Sequence, residues 1–205
     1  MAVYTDVSAD DLNRFVAGFD IGEVVLLEGI AHGTENSNFR LLTTTGPFVL
    51  TLYEKRVDPA DLPFFLGLMR HLSEAGFPCP APIPDRHGEF LHRLSDRPAA
   101  VVAFASGDWP RAITASHCRE VGAVLAKLHV AAAGFPMTRV NDQALSAWRS
   151  VLANAAALAD ELRPGFADWI SAEIAALEDY RYSKAMKAHA KKEPVWSEAA
   201  LDAYL

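Results

Sequence analysis

Apolar positions recur along this chain at two spacings, and the change from one to the other divides it. Near the start, Ser8-Ala9-Asp10-Asp11 offers a capping hydroxyl followed three residues later by an acid, and Leu12, Phe15, Val16 and Phe19 then share one helical face. From residue 21 the pattern becomes that of strands. Residues 21–30 are rich in Val, Ile and Leu; Phe39-Arg40-Leu41-Leu42-Thr43-Thr44 reads as a second strand, and Phe48 to Lys55 as a third after Thr45-Gly46-Pro47. Two short connections between three consecutive strands predict an antiparallel meander, because a parallel pair would need a crossover helix.

A helix is predicted from around Asp58–Asp61. Pro63 is tolerable there only in the first turn, and Phe65, Leu66, Leu68, Met69 and Leu72 lead to a stop at Gly76. Pro78-Cys79-Pro80-Ala81-Pro82-Ile83-Pro84 is an extended connector. Residues 89–94 and 98–104 read as a hairpin turning at Ser95-Asp96-Arg97. Beyond Gly107 the period is helical throughout. One stripe is Val121, Val124, Leu125 and Leu128 after a start at Thr114; a second is Leu145, Trp148, Val151 and Leu152. A third, Phe166, Trp169, Ile170, Ile174 and Leu177, follows Pro164. The expectation is an α+β chain: a sheet-bearing N-terminal lobe over 1–103, a hinge at 104–112, a partial all-helical lobe over 113–180 and a tail over 181–205.

Composition narrows the class. At 205 residues the chain can build a real core, and 51% hydrophobic with 22% charged residues is ordinary for a globular protein. A net charge of −7 without long blocks of like charge excludes a nucleic-acid surface. No apolar run approaches the roughly 20 residues of a membrane span, and Met1-Ala2-Val3-Tyr4-Thr5-Asp6 lacks the pattern of a signal peptide. Cys79 and Cys118 form no CxxC or Cys/His cluster, so a reduced cytoplasmic protein without disulfide or zinc is expected. Residues 181–205 hold five Lys and Arg against three Asp and Glu, so a tail of +2 follows 180 residues carrying −9.

The candidate chemistry lies between the first two strands. In Gly29-Ile30-Ala31-His32-Gly33-Thr34-Glu35-Asn36-Ser37-Asn38-Phe39, a turn with glycine at Gly29 and Gly33 can bring backbone N–H groups against phosphate oxygens, because no Cβ holds the backbone away, or can be simply a turn, as most such turns are. Asn36, Ser37 and Asn38 add short polar side chains. The two-residue period sends Thr51, Tyr53 and Lys55 to one face of the third strand, where a lysine could hold phosphates or end the strand in solvent. Phe104-Ala105-Ser106-Gly107 could meet a nucleotide base or simply connect. His129 ends a helical stripe, which favours a role at the helix C-terminus over catalysis. The histidines show no HxxxH or HExxH spacing, and there is no GxSxG elbow or Walker A sequence.

These segments, in this order, resemble bacterial homoserine kinases, within the aminoglycoside-phosphotransferase/choline-kinase superfamily. The resemblance rests on Gly29-Ile30-x2-Gly33-x-Glu35-Asn36-Ser37-Asn38-Phe39, Leu50-Thr51-Leu52-Tyr53-Glu54-Lys55-Arg56, Asp61-Leu62-Pro63-Phe64-Phe65-Leu66-x-Leu68-Met69, Cys79-Pro80-x-Pro82, and His117-Cys118-Arg119-Glu120-Val121-Gly122-x3-Ala126-x-Leu128-His129, and covers about residues 1–178. It implies a protein-kinase-like fold with an incomplete helical lobe, ATP and Mg2+ as partners, and phosphoryl transfer to the hydroxyl of L-homoserine in threonine biosynthesis. It also implies that Gly29, Gly33, Asn36, Ser37, Asn38 and Phe39 cover the nucleotide phosphates, that Thr51 and Lys55 lie beside them, and that Phe104 lies at the adenine.

Departures from the superfamily pattern accompany the resemblance. Thr51 stands where a phosphate-binding Lys or Arg is usual, and Leu62–Arg70 contains no acid to pair with a lysine. No His-x-Asp-x4-Asn loop occurs, so no catalytic or metal-holding residue is assigned. The tail from Arg181 through Met186 and Trp196 to Leu205 resembles part of a class I c-type cytochrome, without haem-attachment residues, so the expectation is a kinase truncated before its catalytic loop and joined to a cytochrome fragment, with a divergent helical C-terminus as the alternative. The alternatives are a kinase of another small alcohol and a non-catalytic nucleotide-binding module. Helical stripes without their full set of partners predict self-association or an exposed apolar patch. The expected outcome is negligible magnesium-dependent ATP turnover on homoserine by purified residues 1–205, checked in a coupled ADP-release assay.

Overall fold

Ser8 stands in the extended conformation with its hydroxyl accepting the Asp11 N–H at 3.1 Å, and so starts helix α1 (Ala9–Val16) where its position predicts. The computed structural model that shows this describes residues 3–31, 35–54, 57–108, 110–141 and 144–182. Strands β1 (Val24–Gly29), β2 (Ser37–Thr43) and β3 (Gly46–Leu52) follow as the predicted antiparallel meander. With β4 (His92–Leu94) and β5 (Arg97–Ala103) they form one sheet in the order β1-β2-β3-β5-β4, every pair antiparallel. The β4–β5 turn places Ser95 and Asp96 at φ of 49° and 60°, the pair of positive φ values that a two-residue hairpin demands.

Residue period decides which side chains enter the core. In β2, Ser37, Phe39, Leu41 and Thr43 are buried while Arg40 is exposed and Asn38 and Leu42 are half-buried. Phe39 and Leu41 join Leu50 and Leu52 of β3, Ala99 and Val101 of β5, and Leu12 and Val16 of α1 in one cluster. Helix α1 therefore covers one face of the sheet. Strand β1 breaks strict alternation because its register shifts between Val24 and Leu26, leaving Val25 as the extra residue of a bulge. Val24 and Leu27, three apart, thus both reach the core, whereas Val25 and Leu26 lie at the surface.

The proline-rich connector turns out to be part of the sheet. The Ile83 N–H bonds the carbonyl of Val101 at 2.8 Å, and the Ala103 N–H bonds that of Ala81 at 2.8 Å. Prolines at 80, 82 and 84 remove alternate N–H groups, yet the residues between them keep the groups that pair with β5. Such a ribbon can extend the sheet only at its edge.

Helix α2 (Leu62–Glu74) follows a 3-10 turn over Pro59–Asp61, with Pro63 in its first turn and Gly76 at φ +77° just past its end. Helix α3 (Ala115–Ala132) begins with a capping box in which Thr114 accepts from His117 N–H and the His117 ring accepts from Thr114 N–H. The compact units are Met1–Thr138 and Arg139–Leu205, so α3 belongs with the sheet, and the structural boundary lies beyond the proposed hinge at 104–112. The reason is local packing against α2. His71 Nε2 lies 2.9 Å from the Ala131 carbonyl oxygen, the Phe64 and Phe135 rings meet edge-on at 5.4 Å, and a Cβ on Gly67 would stand 3.4 Å from both Phe135 and Met137.

In the second unit, α4 (Leu145–Leu162) and α5 (Phe166–Tyr182) pack as a hairpin that buries Ala159 and Ile174. An Arg149–Glu178 ion pair joins them, and the Arg163 guanidinium covers the Phe166 ring at 4.5 Å. The predicted stripes are only partly buried: Ile174 is inside, but Val151, Trp169 and Leu177 are exposed. No residue of α3 is buried either, and its Val121, Val124 and Leu125 face outward. Among the described residues no helix is long and apolar enough to cross a membrane.

Leu50→Ala removes a fully buried side chain from the middle of β3 and is expected to cost about 3 kcal/mol of stability. Val25→Ala at the exposed bulge should change it by less than about 0.5 kcal/mol. Urea unfolding followed by far-ultraviolet circular dichroism checks both.

Candidate functional site

Because α1 covers one face of β2 and β3, the opposite face is the one left partly open. It carries Asn38, Arg40 and Leu42 on β2 and Val49 and Thr51 on β3, all half-buried or exposed. Cross-strand register sets Asn38 opposite Thr51 and Arg40 opposite Val49, and continues from Val49 to Val102 on β5. Neighbouring Ala99 and Ala100 point to opposite faces and are both fully buried, so the sheet is covered on both sides at β5 and opens toward β2. Phe104, just past β5, is partly exposed, and the Arg40 guanidinium lies 5.7 Å from the centre of its ring.

The polar residues singled out from the sequence are brought together, but mostly to bond one another. Thr51 Oγ1 donates to Asn38 Oδ1 at 2.8 Å, and Asn38 Nδ2 reaches the Asn36 carbonyl at 3.5 Å. Asn36 Oδ1 accepts the Glu54 N–H at 3.3 Å. Ser37 is fully buried and offers a ligand no surface: its hydroxyl accepts the N–H groups of Tyr4 and Thr5 at 2.8 and 3.2 Å and donates to Glu54 Oε1 at 2.7 Å. Phe39 is a core residue on the α1 side. Ser37 and Phe39, expected among the residues over the phosphates, thus have buried side chains. Period two puts both on the covered face.

Gly29 ends β1, where a Cβ would come within 2.8 Å of the Val3 side chain, so the residue is glycine because the N-terminal segment crosses it. Gly33 and Lys55 lie outside the described residues, as do 183–205 of the tail. Strand β3 ends at Leu52, although Tyr53 N–H still bonds the Pro98 carbonyl at 2.9 Å.

Two residues escaped notice in the sequence. Arg40 stands on the partly open face, two residues beyond Asn38, and strand period alone could have placed it there. Glu54 had no such signal, because its importance comes from chain segments far apart in sequence. Its side chain is 10% exposed and accepts from Ser37 Oγ, from Thr5 Oγ1 at 2.8 Å and from Arg97 Nε at 2.9 Å. Burial alone would push its carboxyl up; the Ser37 and Thr5 hydroxyls and the Arg97 guanidinium outweigh that and hold it below the usual carboxylate range. Elsewhere, a shallow hollow lined by Ala17, Phe19, Asp20, Gly22, Glu23 and Arg86 lies beside the other end of β1. Its cation is already used, since Arg86 bonds Asp20 at 2.8 Å and the carbonyls of Ala17 and Phe19. Among the described residues no group of three His, Cys, Asp or Glu side chains could hold a metal ion.

The sequence profile of the phosphotransferase enzyme family (APH) matches residues 27–196, from the end of β1 through the rest of the sheet and helices α2 to α5. The chain belongs to this family. It is 52% identical over 180 residues to a homoserine kinase of Sinorhizobium fredii, covering 88% of this chain and 55% of that one. It is 51% identical over 178 residues to a homoserine kinase of Rhodospirillum rubrum, covering 87% of this chain and 56% of that one. The chain thus spans about half the length of these curated relatives. Among solved structures it is similar to a spectinomycin phosphotransferase crystallised with ADP and spectinomycin, with a TM-score of 0.54 at 15% identity, over 93% of this chain and 60% of that one. That likeness carries the protein-kinase-like α+β fold. The cytochrome-like reading of 181–205 finds no support, since the phosphotransferase profile runs through the composition shift near Tyr180 to residue 196.

Glu54, held below the usual range, stabilises the folded chain above that range and loses its contribution as the pH falls through its lowered value. Glu54→Gln should therefore melt below wild type at pH 7, and the gap should close toward pH 3. Thermal melts across that interval check it.

Proposed function

We propose that this chain binds ATP on the face of the sheet opposite α1 and serves transfer of its terminal phosphoryl group to the hydroxyl of L-homoserine, a step of threonine biosynthesis carried out in the cytoplasm. The observation that carries the reading is the 52% identity to a homoserine kinase over 180 residues of this chain. The half-open face of Asn38, Arg40, Val49 and Thr51 agrees with it, because it offers apolar area for a base and polar groups for a ribose or phosphates.

In this reading Gly33 lets the backbone approach the phosphates, Gly29 gives the N-terminal strap room to cross, and Asn36 and Asn38 hold the β2 side of the turn. Thr51 occupies the lysine position of related kinases and orients Asn38 rather than supplying charge. Arg40 supplies a cation on the same face and, with Phe104, borders the adenine, while Lys55 adds a second cation near the end of β3. ATP brings the phosphoryl group and Mg2+ comes with its phosphates; no three described carboxylate or imidazole groups fit a protein-held metal, so no step is assigned to one. The protein's own contribution is placement of the phosphates by backbone and side-chain dipoles. The exposed Val121, Val124 and Leu125 support association of copies of this chain as a further partner interaction.

Isothermal titration of the purified chain with ATP and Mg2+, followed by assay of phosphate transfer to homoserine, tests the reading. One nucleotide per chain is expected, with Arg40→Ala weakening it about tenfold, or ~1.4 kcal/mol. Binding with negligible transfer is expected of residues 1–205, which hold no His-x-Asp-x4-Asn loop; measurable transfer to homoserine would overturn that expectation, and no binding overturns the proposal.

A further inference from the structure

One carboxylate gathers the chain at the end of the sheet where the Gly29–Phe39 connection begins and ends. Glu54 follows β3 by two residues. Its oxygens receive Ser37, the first residue of β2, at 2.7 Å; Arg97, the first residue of β5, at 2.9 Å; and Thr5 of the N-terminal segment at 2.8 Å. Its own N–H bonds Asn36 at 3.3 Å, just before β2. The N-terminal segment closes the arrangement: Tyr4 and Thr5 donate their N–H groups to Ser37 Oγ, while Val3 packs where a Cβ of Gly29 would be, at the last residue of β1. The Ile30 N–H then bonds the Asn38 carbonyl at 2.8 Å and joins the two sides. The ends of four strands and an otherwise separate strap are thus referred to one side chain.

Stability alone does not account for this choice of residue. Burying a carboxylate costs desolvation, and an apolar group of similar shape often holds a fold as well or better. A carboxylate with three directed donors does what an apolar group cannot, since each bond has its own direction and length. It fixes where the strand ends stand relative to one another.

We propose that Glu54 is a positioning residue for the nucleotide phosphates: through Ser37, Asn36 and the Val3–Thr5 strap it sets the place of the β1 and β2 ends from which backbone groups reach the phosphates. This inference rests on the ATP reading above. It assigns Glu54 no contact with the nucleotide, and it makes residues 3–5 part of the site's architecture. Ser37 transmits the effect to β2, and Val3 transmits it to Gly29.

The test compares ATP with adenosine, which lacks phosphates, in titrations of wild type, Glu54→Gln and Thr5→Val at a temperature well below each melting point. Glu54→Gln is expected to weaken ATP about tenfold and adenosine less than about twofold, and Thr5→Val, which keeps the charge and the fold, to weaken ATP about threefold. Hydrogen exchange adds a ligand-free measure: the amides of Ile30, Ser37 and Asn38 should exchange faster in Glu54→Gln while those of α1 keep their protection. Equal loss of ATP and adenosine affinity would show a general structural role and overturn the proposal. So would unchanged ATP affinity with unchanged exchange at those amides. Wild type that binds adenosine and ATP equally well, or neither, would instead remove the phosphate-site reading itself.

Discussion

The pairing of β2 with β3, in register from Ser37–Leu52 to Thr43–Gly46, is the constraint on which the rest depends. A strand has two faces and a period of two, so once α1 claims Phe39, Leu41, Leu50 and Leu52, every intervening residue is committed to the other side. Asn38, Arg40, Val49 and Thr51 are left to form a surface half-open to solvent. A slip of one residue would bury Arg40 and expose Leu41. The hydrophobic core and the open face are the same decision seen from two sides.

Polar side chains near that face divide into those that hold the backbone and those that could meet a ligand. Ser37 belongs wholly to the first group, buried among the bonds of Tyr4, Thr5 and Glu54. Asn36, Asn38 and Thr51 form a short chain of hydrogen bonds across the β2–β3 pair and keep part of their surface. Arg40 lies closest to a ligand role, being exposed beside Phe104. A buried donor or acceptor left without its partner costs about 1–3 kcal/mol, so such a chain holds its geometry firmly.

The helical part follows a different logic. In α4 and α5 each helix has one neighbour, and a pair of helices buries only the strip where they touch, around Ala159 and Ile174. Wider apolar stripes, with Val151, Trp169 and Leu177 at their margins, remain outside that strip. Helix α3 meets α2 near its end through His71, Phe64 and Phe135 and leaves Val121, Val124 and Leu125 exposed. The chain spans about half the length of its homoserine kinase relatives.

Local chemistry written in the chain determined the elements: the Ser8 and Thr114 caps, the three-strand meander, the Pro63 start and Gly76 stop of α2, and the Ser95-Asp96 turn. Each depends on neighbours a few residues apart, and so can be read from the letters alone. Family membership was legible for the same reason, through short motifs around Gly29, Thr51 and Asp61. Tertiary structure decided the rest. It shifted the phase of β1 by a bulge at Val25, drew Ala81 and Ile83 into the sheet between prolines, and left the α3 stripe uncovered. It also moved Ser37 from expected ligand to buried support and made Glu54 the junction of segments as far apart as Thr5 and Arg97. Those outcomes turn on which distant backbone arrives beside a residue, and sequence spacing holds no measure of that.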